Sequence, residues 1–173
     1  DSMFYRASAF NQSLAFDTSS VRSMSHMFYK ASAFNQPLTF NDTSKVTSMR
    51  SMFYGASAFN QPLTSWDTGK VTNMRSMFAY AVSFNQELDH LDTSAVTGEN
   101  MWSMLCGCES FNKPVNSFDV SRVTSLAYFF WHCHAFNQPL DNWNTEKVTS
   151  MAKMFEQAFD FDQPLNSWNV GRV

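Results

Sequence analysis

Several residue groups in this chain have the type and spacing to do chemistry. The run His132-Cys133-His134, set against Cys106 and Cys108 one unit earlier, offers imidazole and thiol groups of the kind that hold zinc tetrahedrally. The spacing matches no familiar metal-ligand pattern, so Cys106, His132 and His134 stand as a metal alternative to surface histidines flanking a core cysteine. Asp17, Asp42, Asp67, Asp92 and Asp119 form a second group, continued by Asn144 and Asn169. Calcium takes about six to eight oxygens, and one carboxylate per unit falls far short of that. An Asp or Asn accepting a backbone amide in its own turn explains both residue types in the slot. The third group is aromatic. Tyr5, Tyr29 and Tyr54, with Ala79, Cys106, Trp131 and Glu156 in the equivalent places, follow the Met-Phe pairs or their counterparts. On a helical wheel this slot lies opposite the apolar stripe. Tyr5, Tyr29, Tyr54 and Trp131 are therefore the expected interaction surface, against the alternative that the rings lie flat over their neighbours.

What positions these groups is a period. Phe10, Phe34, Phe59, Phe84, Phe111, Phe136 and Phe161 recur at intervals of 24 to 27 residues, nearly in step with Val21, Val46, Val71, Val96, Val123, Val148 and Val173. Seven copies fill the chain, and self-similarity at such a period marks an array whose units bury their apolar faces against one another. Residues 1–173 are therefore expected to form a single repeat array. Because the chain opens mid-repeat at Asp1 and stops at Val173, where an eighth copy would begin, it is further expected to be a fragment of a longer solenoid, uncapped at both ends.

Within one copy, Val46, Met49, Met52, Phe53, Ala56 and Phe59 lie at offsets 0, 3, 6, 7, 10 and 13, a helical stripe. Thr47, Thr72, Thr97, Thr124 and Thr149 follow the Val as candidate N-caps, and the spacing predicts a short helix over about 73–81. Such a helix is too short to stand alone and needs stacking. The five prolines, Pro37, Pro62, Pro114, Pro139 and Pro164, share one column, which suits the first residue of a short parallel strand over about 62–66. A turn or bulge is expected between Leu63 and Trp66. Gly98 and Glu99 are two extra residues, expected as a bulge at the helix start. The Asn of Phe-Asn-Gln reads as an internal ladder bonding the backbone of adjacent copies. Cys108 and Cys133 share a slot in adjacent copies. At the 8 to 10 Å spacing typical of packed helices their Cα atoms would exceed the roughly 7 Å that a disulfide needs, so both are expected as buried thiols.

The phrase is longest and cleanest from Val46 through Thr47-Ser48-Met49-Arg50-Ser51-Met52-Phe53-Tyr54-Gly55-Ala56 to Phe59-Asn60-Gln61-Pro62-Leu63 and Trp66-Asp67. It resembles the repeats of mycoplasma-type surface lipoproteins, related to the BspA-type leucine-rich repeats of bacterial and protist surface proteins. That resemblance covers all seven copies. It implies an α/β, leucine-rich-repeat-like right-handed solenoid of seven units of roughly 25 residues, with short parallel strands and short helices. It also implies an extracellular or cell-surface setting, an adhesion or protein-binding role, and no catalytic residues. Departures cluster where Cys108 and Cys133 take the Ala slot, Leu105 replaces Phe, and Leu126 and Phe129 replace Met.

Charged residues make up 16% of the chain and the net charge is −3, so the basic stripe that nucleic-acid binding needs is missing. No apolar run approaches the roughly 18 residues of a membrane span, and no signal peptide opens the chain. No nucleophile elbow, phosphate loop or metal-ligand helix is present, which points away from an enzyme, and no cofactor is implied. The expected function is recognition or scaffolding of a protein partner, within a larger complex. The alternative is a periodic ligand surface, ice or glycan, meeting the column Thr18, Thr43, Thr68, Thr93 and Thr145, which Val120 and Val170 interrupt.

Overall fold

The computed structural model describes all residues, 1–173. Seven copies stack as rungs, and the hydrogen bonds show how. In the third rung the amides of Met49, Ser51, Phe53 and Gly55 donate to the carbonyls of Asn73, Arg75, Met77 and Ala79 in the next rung, at 2.9, 2.9, 2.8 and 2.7 Å. The amides between them close turns within the rung: Met52 onto Met49, Tyr54 onto Ser51, Ala56 onto Phe53 and Phe59 onto Ala56, at 3.0–3.2 Å. From Ser51 to Ala56, consecutive N–H groups thus alternate between the next rung and a turn within their own.

This pattern overturns the expected α/β, leucine-rich-repeat-like right-handed solenoid. None of the 73 backbone hydrogen bonds belongs to a helix or a strand. Parallel pairing is confined to isolated bridges, Ser23 to Ser48, Ser48 to Asn73, Gly98 to Val123 and Ser125 to Ser150. The helix over 73–81 fails because its backbone turns left-handed twice, at Ser76 (φ 53°) and Tyr80 (φ 60°), and an α-helix tolerates neither. The same two positions are left-handed in the other rungs, as at Ser51 and Gly55 or Tyr128 and His132. A string of turns, each closed by a bond between residues three apart, turns Met49, Met52, Phe53, Ala56 and Phe59 into the core, so it writes the same stripe as a helix. The N-cap threonines act differently as well. The Thr47 and Thr72 hydroxyls donate to the carbonyls of Arg22 and Thr47 in the preceding rung, at 3.1 and 3.2 Å. The strand over 62–66 is absent too, because the chain turns there, with the Trp66 amide on the Leu63 carbonyl at 3.1 Å.

The core is continuous. Forty-two buried residues form one cluster, and the Phe columns run through it as ring ladders. Phe28 and Phe34 stack at 4.1 Å within a rung, Phe53 and Phe59 at 4.0 Å, and successive rungs meet at 5.5–6.1 Å, for example Phe59 to Phe84 at 6.0 Å. A third column carries Phe40 on Trp66 at 5.6 Å and Trp143 on Trp168 at 6.1 Å. Removing a Phe side chain from water contributes about 1.5–3 kcal/mol, and repetition of that term holds the stack together without regular secondary structure.

Polar ladders line the corners. The Asn60 side-chain oxygen accepts the Asn85 amide and the Gln86 side chain of the next rung, both at 2.9 Å, and Asn11, Asn35, Asn112 and Asn137 do the same one rung at a time. The Asn ladder is as expected; the Gln side chain that doubles each of its rungs is an addition. The Asp column sits in its own turns: Asp17, Asp42, Asp67, Asp92 and Asp119 accept the amide two residues on at 2.8–3.0 Å, and Asn144 and Asn169 do likewise. The Thr43 hydroxyl donates to the Asp67 carbonyl at 3.0 Å and accepts the Asp67 amide at 2.8 Å, which seals rung to rung.

Candidate functional site

The side chains that escape the core gather on the face formed by the turn string. Tyr5, Tyr29 and Tyr54 follow the core Phe of their rungs and point outward, and in-register rungs bring their rings together. Tyr5 stacks on Tyr29 and Tyr29 on Tyr54 at 4.7 Å, within 10° of parallel. Tyr5 is exposed, and Tyr29 and Tyr54 are half-buried by one another. The expected row exists, and its rings also lie flat on their neighbours. Arg6 lies 5.5 Å from the Tyr5 ring centre and Lys30 lies 5.8 Å from that of Tyr29, so cations flank the ladder. His26 meets both Tyr5 and Tyr29, and burial, with Arg50 nearby, holds its imidazole below the usual pKa.

The ladder stops at the fourth rung, where Ala79 takes the slot and is buried. Tyr80, one residue later and left-handed, supplies the ring instead. It turns edge-on to Tyr54 at 5.3 Å and leans across the fifth rung, where Cys106 occupies the aromatic slot. Gly107 makes this possible: its φ is +70°, and a Cβ there would stand 2.8 Å from Tyr80 Cδ1. Burial and the neighbouring Cys106 thiol push the Tyr80 hydroxyl up to about 12.

Beyond Tyr80 the surface opens into a cleft of about 330 Å³ lined by Tyr54, Tyr80, Trp102, Tyr128 and Trp131, with Ser76, Ser103 and Cys106 at its base. Trp131, a residue of the expected surface, is one of its walls, 6.3 Å from Tyr80 and 6.2 Å from Tyr128, at interplanar angles of 84° and 76°. Its indole N–H donates to Glu156 at 3.2 Å, and that bond, with Lys153 beside it, holds the Glu156 carboxyl below the usual range. Trp102 meets Tyr128 at 5.4 Å and 61°, and the Arg75 guanidinium lies 4.5 Å from its ring centre.

Tyr80, Trp102 and Tyr128 are cleft residues that the repeat pattern does not flag, because they lie outside the column of tyrosines. The available signal was departure from the repeat: Trp102 and Tyr128 fill slots that hold Arg50 and Arg75, or Ser51 and Ser76, in the regular copies. The Gly98-Glu99 insertion is taken up in extra turns, the Asn100 amide on the Thr97 carbonyl and the Trp102 amide on that of Glu99. The pairing register is kept, since Met74 bonds to Asn100 and Ser76 to Trp102 as Met49 does to Asn73 and Ser51 to Arg75.

The other candidates stay apart. The Cys106 thiol is buried beneath Tyr80, His132 packs on Trp131 at 3.8 Å, and His134 faces Glu109 at 3.8 Å and Phe159 at 5.0 Å. No three His, Cys, Asp or Glu side chains converge to hold a metal ion. Cys106, Cys108 and Cys133 are free and buried. The reason is not helix spacing, since there are no helices. Each core thiol is turned onto a preceding carbonyl, Cys108 onto Phe78 at 3.1 Å and Cys133 onto Leu105 at 3.0 Å. Burial pushes both thiols up, which keeps them unreactive. The Thr column is buried with every hydroxyl spent on the next rung, so it presents no hydroxyl row to ice or glycan. No helix is long and apolar enough to cross a membrane.

Fold and surface together define a stacked repeat protein with one continuous core and an aromatic face. The chain belongs to the family described as "Mycoplasma protein of unknown function, DUF285", which matches residues 1–102 and 89–173. No curated protein and no solved structure matches it.

Proposed function

We propose that the chain is a non-enzymatic recognition module that binds a protein partner through the aromatic face of its rungs, as part of a larger assembly. The observation that carries this reading is the run of outward rings from Tyr5 through Tyr29 and Tyr54 to Tyr80, which includes the exposed Tyr5 and Tyr80. Tyr and Trp are the residues that dominate binding energy at protein interfaces, because they offer large contact areas at little cost in conformational entropy. The flanking Arg6 and Lys30 favour a partner with carboxylates around an apolar centre. The cell-surface or extracellular setting and adhesive role implied by the resemblance to BspA-type surface repeats belong to the same reading.

The test replaces Tyr5, Tyr29 and Tyr54 together by Ser and compares partner capture by the intact and altered chains. Each ring stack contributes about 0.5–1.5 kcal/mol, so the triple variant loses some stability but keeps its Phe core and folds. Loss of the captured partner with a retained thermal transition supports the reading. Undiminished capture removes these rings as the interface.

A further inference from the structure

We infer that the cleft among Tyr80, Trp102, Tyr128 and Trp131 is a binding site for a small quaternary ammonium group, of the kind carried by choline and its esters. The site shares Tyr54 and Tyr80 with the aromatic face of the rungs, but the inference does not rest on the protein-recognition reading. Three observations carry it. First, the ring orientations make a box and not a platform. Tyr80 and Tyr128 stand at 84° and 76° to Trp131, and Trp102 at 61° to Tyr128, with centres 5.4–6.3 Å apart. The tyrosine ladder stacks its ring faces on one another, whereas these rings meet edge to face and together line the cleft. A ring face is the negative pole of an aromatic quadrupole, so a cleft walled by four such rings attracts a cation that needs no hydrogen bonds.

Second, the lining has no charged side chain, and its polar groups are only tyrosine hydroxyls, the indole N–H groups, Ser76, Ser103 and Cys106. A sugar requires convergent carboxylates or amides to hold its hydroxyls, and an anion requires donors placed for it. A tetraalkylammonium requires only polarisable faces and an apolar perimeter. Third, one ring of the cleft already holds a cation: the Arg75 guanidinium lies 4.5 Å from the Trp102 ring centre, so that face is taken and the ligand is left with Tyr80, Tyr128 and Trp131. Glu156, bound to the Trp131 indole N–H at 3.2 Å, adds negative potential at that ring, partly offset by its pairing with Lys153. The volume of about 330 Å³ lies at the small end of ligand sites, which suits a compact head group and not a polymer.

The experiment titrates the full chain with choline and, separately, with 3,3-dimethyl-1-butanol, its neutral isostere, by isothermal calorimetry and intrinsic tryptophan fluorescence. Choline is expected to bind saturably, and the neutral isostere about tenfold more weakly or not at all, since the shape is shared and only the charge differs. Trp131→Leu should weaken choline about tenfold or more, while Trp131→Phe, which keeps an aromatic face, retains most of the affinity. A Tyr5 and Tyr29 to Ser double variant serves as a control whose affinity should change little, since neither ring lines the cleft. No saturable choline signal at millimolar concentration overturns the inference. So does equal binding of the neutral isostere, or a Trp131→Leu variant with wild-type affinity. None of these results bears on partner capture by the ladder.

Discussion

The first three rungs and the fourth to sixth share a backbone path and a core, and differ in what their surface rings do. In the regular half, Tyr5, Tyr29 and Tyr54 stack nearly parallel at 4.7 Å, so each ring satisfies its neighbour and leaves mainly edges to solvent. In the irregular half the slot is held by Ala79, Cys106 and Trp131, and the rings meet at 61–84° around open space. Repetition makes self-complementary ladders, because an in-register copy is always the nearest partner. Departures from repetition are what leave aromatic faces available for something else.

If the difference is confined to the surface, core truncations should cost the same in both halves. Phe59→Ala and Phe111→Ala should each lose about 3–5 kcal/mol in denaturant unfolding, since both rings are fully buried in the same column. A much smaller loss at Phe111 would mean that the irregular half is loosely packed, and the comparison would then concern the core. The glycines sharpen it next. Gly55 and Gly107 are both left-handed, and Ala at either site carries a strain of about 1–2 kcal/mol. At Gly55 the new methyl meets the flexible Lys30 side chain at 3.2 Å, whereas at Gly107 it meets the Tyr80 ring at 2.8 Å. Gly107→Ala should therefore cost more, about 2–3 kcal/mol, and shift the fluorescence of the tryptophans beside Tyr80, which Gly55→Ala leaves alone. Equal effects would show that Tyr80 is not held by that contact.

The asparagine ladder offers a smaller contrast. Asn60 receives both the Asn85 amide and the Gln86 side chain, while Asn85 receives only the Asn112 amide, because Lys113 replaces the Gln and pairs with Glu87 at 3.1 Å. Asn60→Ala should cost about 1–3 kcal/mol and Asn85→Ala noticeably less, as read from urea midpoints. Identical losses would assign the stabilisation to the amide bond alone.

How much of this could be read from the sequence follows from what a repeat encodes. Columns are visible in any alignment of copies, so the core phenylalanines, the Asp and Asn turns and the Asn ladder were legible, and the turn at Leu63–Trp66 was too. Secondary structure was not. The offsets of Val46, Met49, Met52, Phe53, Ala56 and Phe59 fit a helix and a string of tight turns equally well. The residues at the left-handed sites, among them Ser51, Ser76 and Tyr80, are not types that announce a positive φ. The tyrosine row was legible as a column. The cleft was not, because Tyr80 sits one place off the column and Trp102 and Tyr128 occupy slots that are polar elsewhere. Only the contact of Tyr80 with the space above Gly107 reveals that these residues meet.

The corner turns allow one comparison through pH. Asp17, whose carboxylate accepts the Ser19 amide and the Asn41 side chain, is held at about 2, and Ser44 and Ser94 hold Asp42 and Asp92 below the usual range in the same way. Asn144 and Asn169 make the same turn bond with no charge to lose. Where a carboxyl is more acidic folded than unfolded, the unfolded chain binds more protons between the two pKa values, so stability rises with pH across that window. The contribution is complete above the ordinary value of 3.8 and fades as the pH falls toward about 2. The fall in Tm between about pH 5 and pH 2.5 should therefore shrink when Asp17, Asp42 and Asp92 are all changed to Asn, which gives these three corners the neutral bond of the last two rungs. All three carboxylates lie near the surface and are screened, so this effect is the smallest of the set. An acid limb unchanged in the triple variant would place the acid sensitivity in other carboxylates and leave the Asp and Asn corners equivalent at every pH.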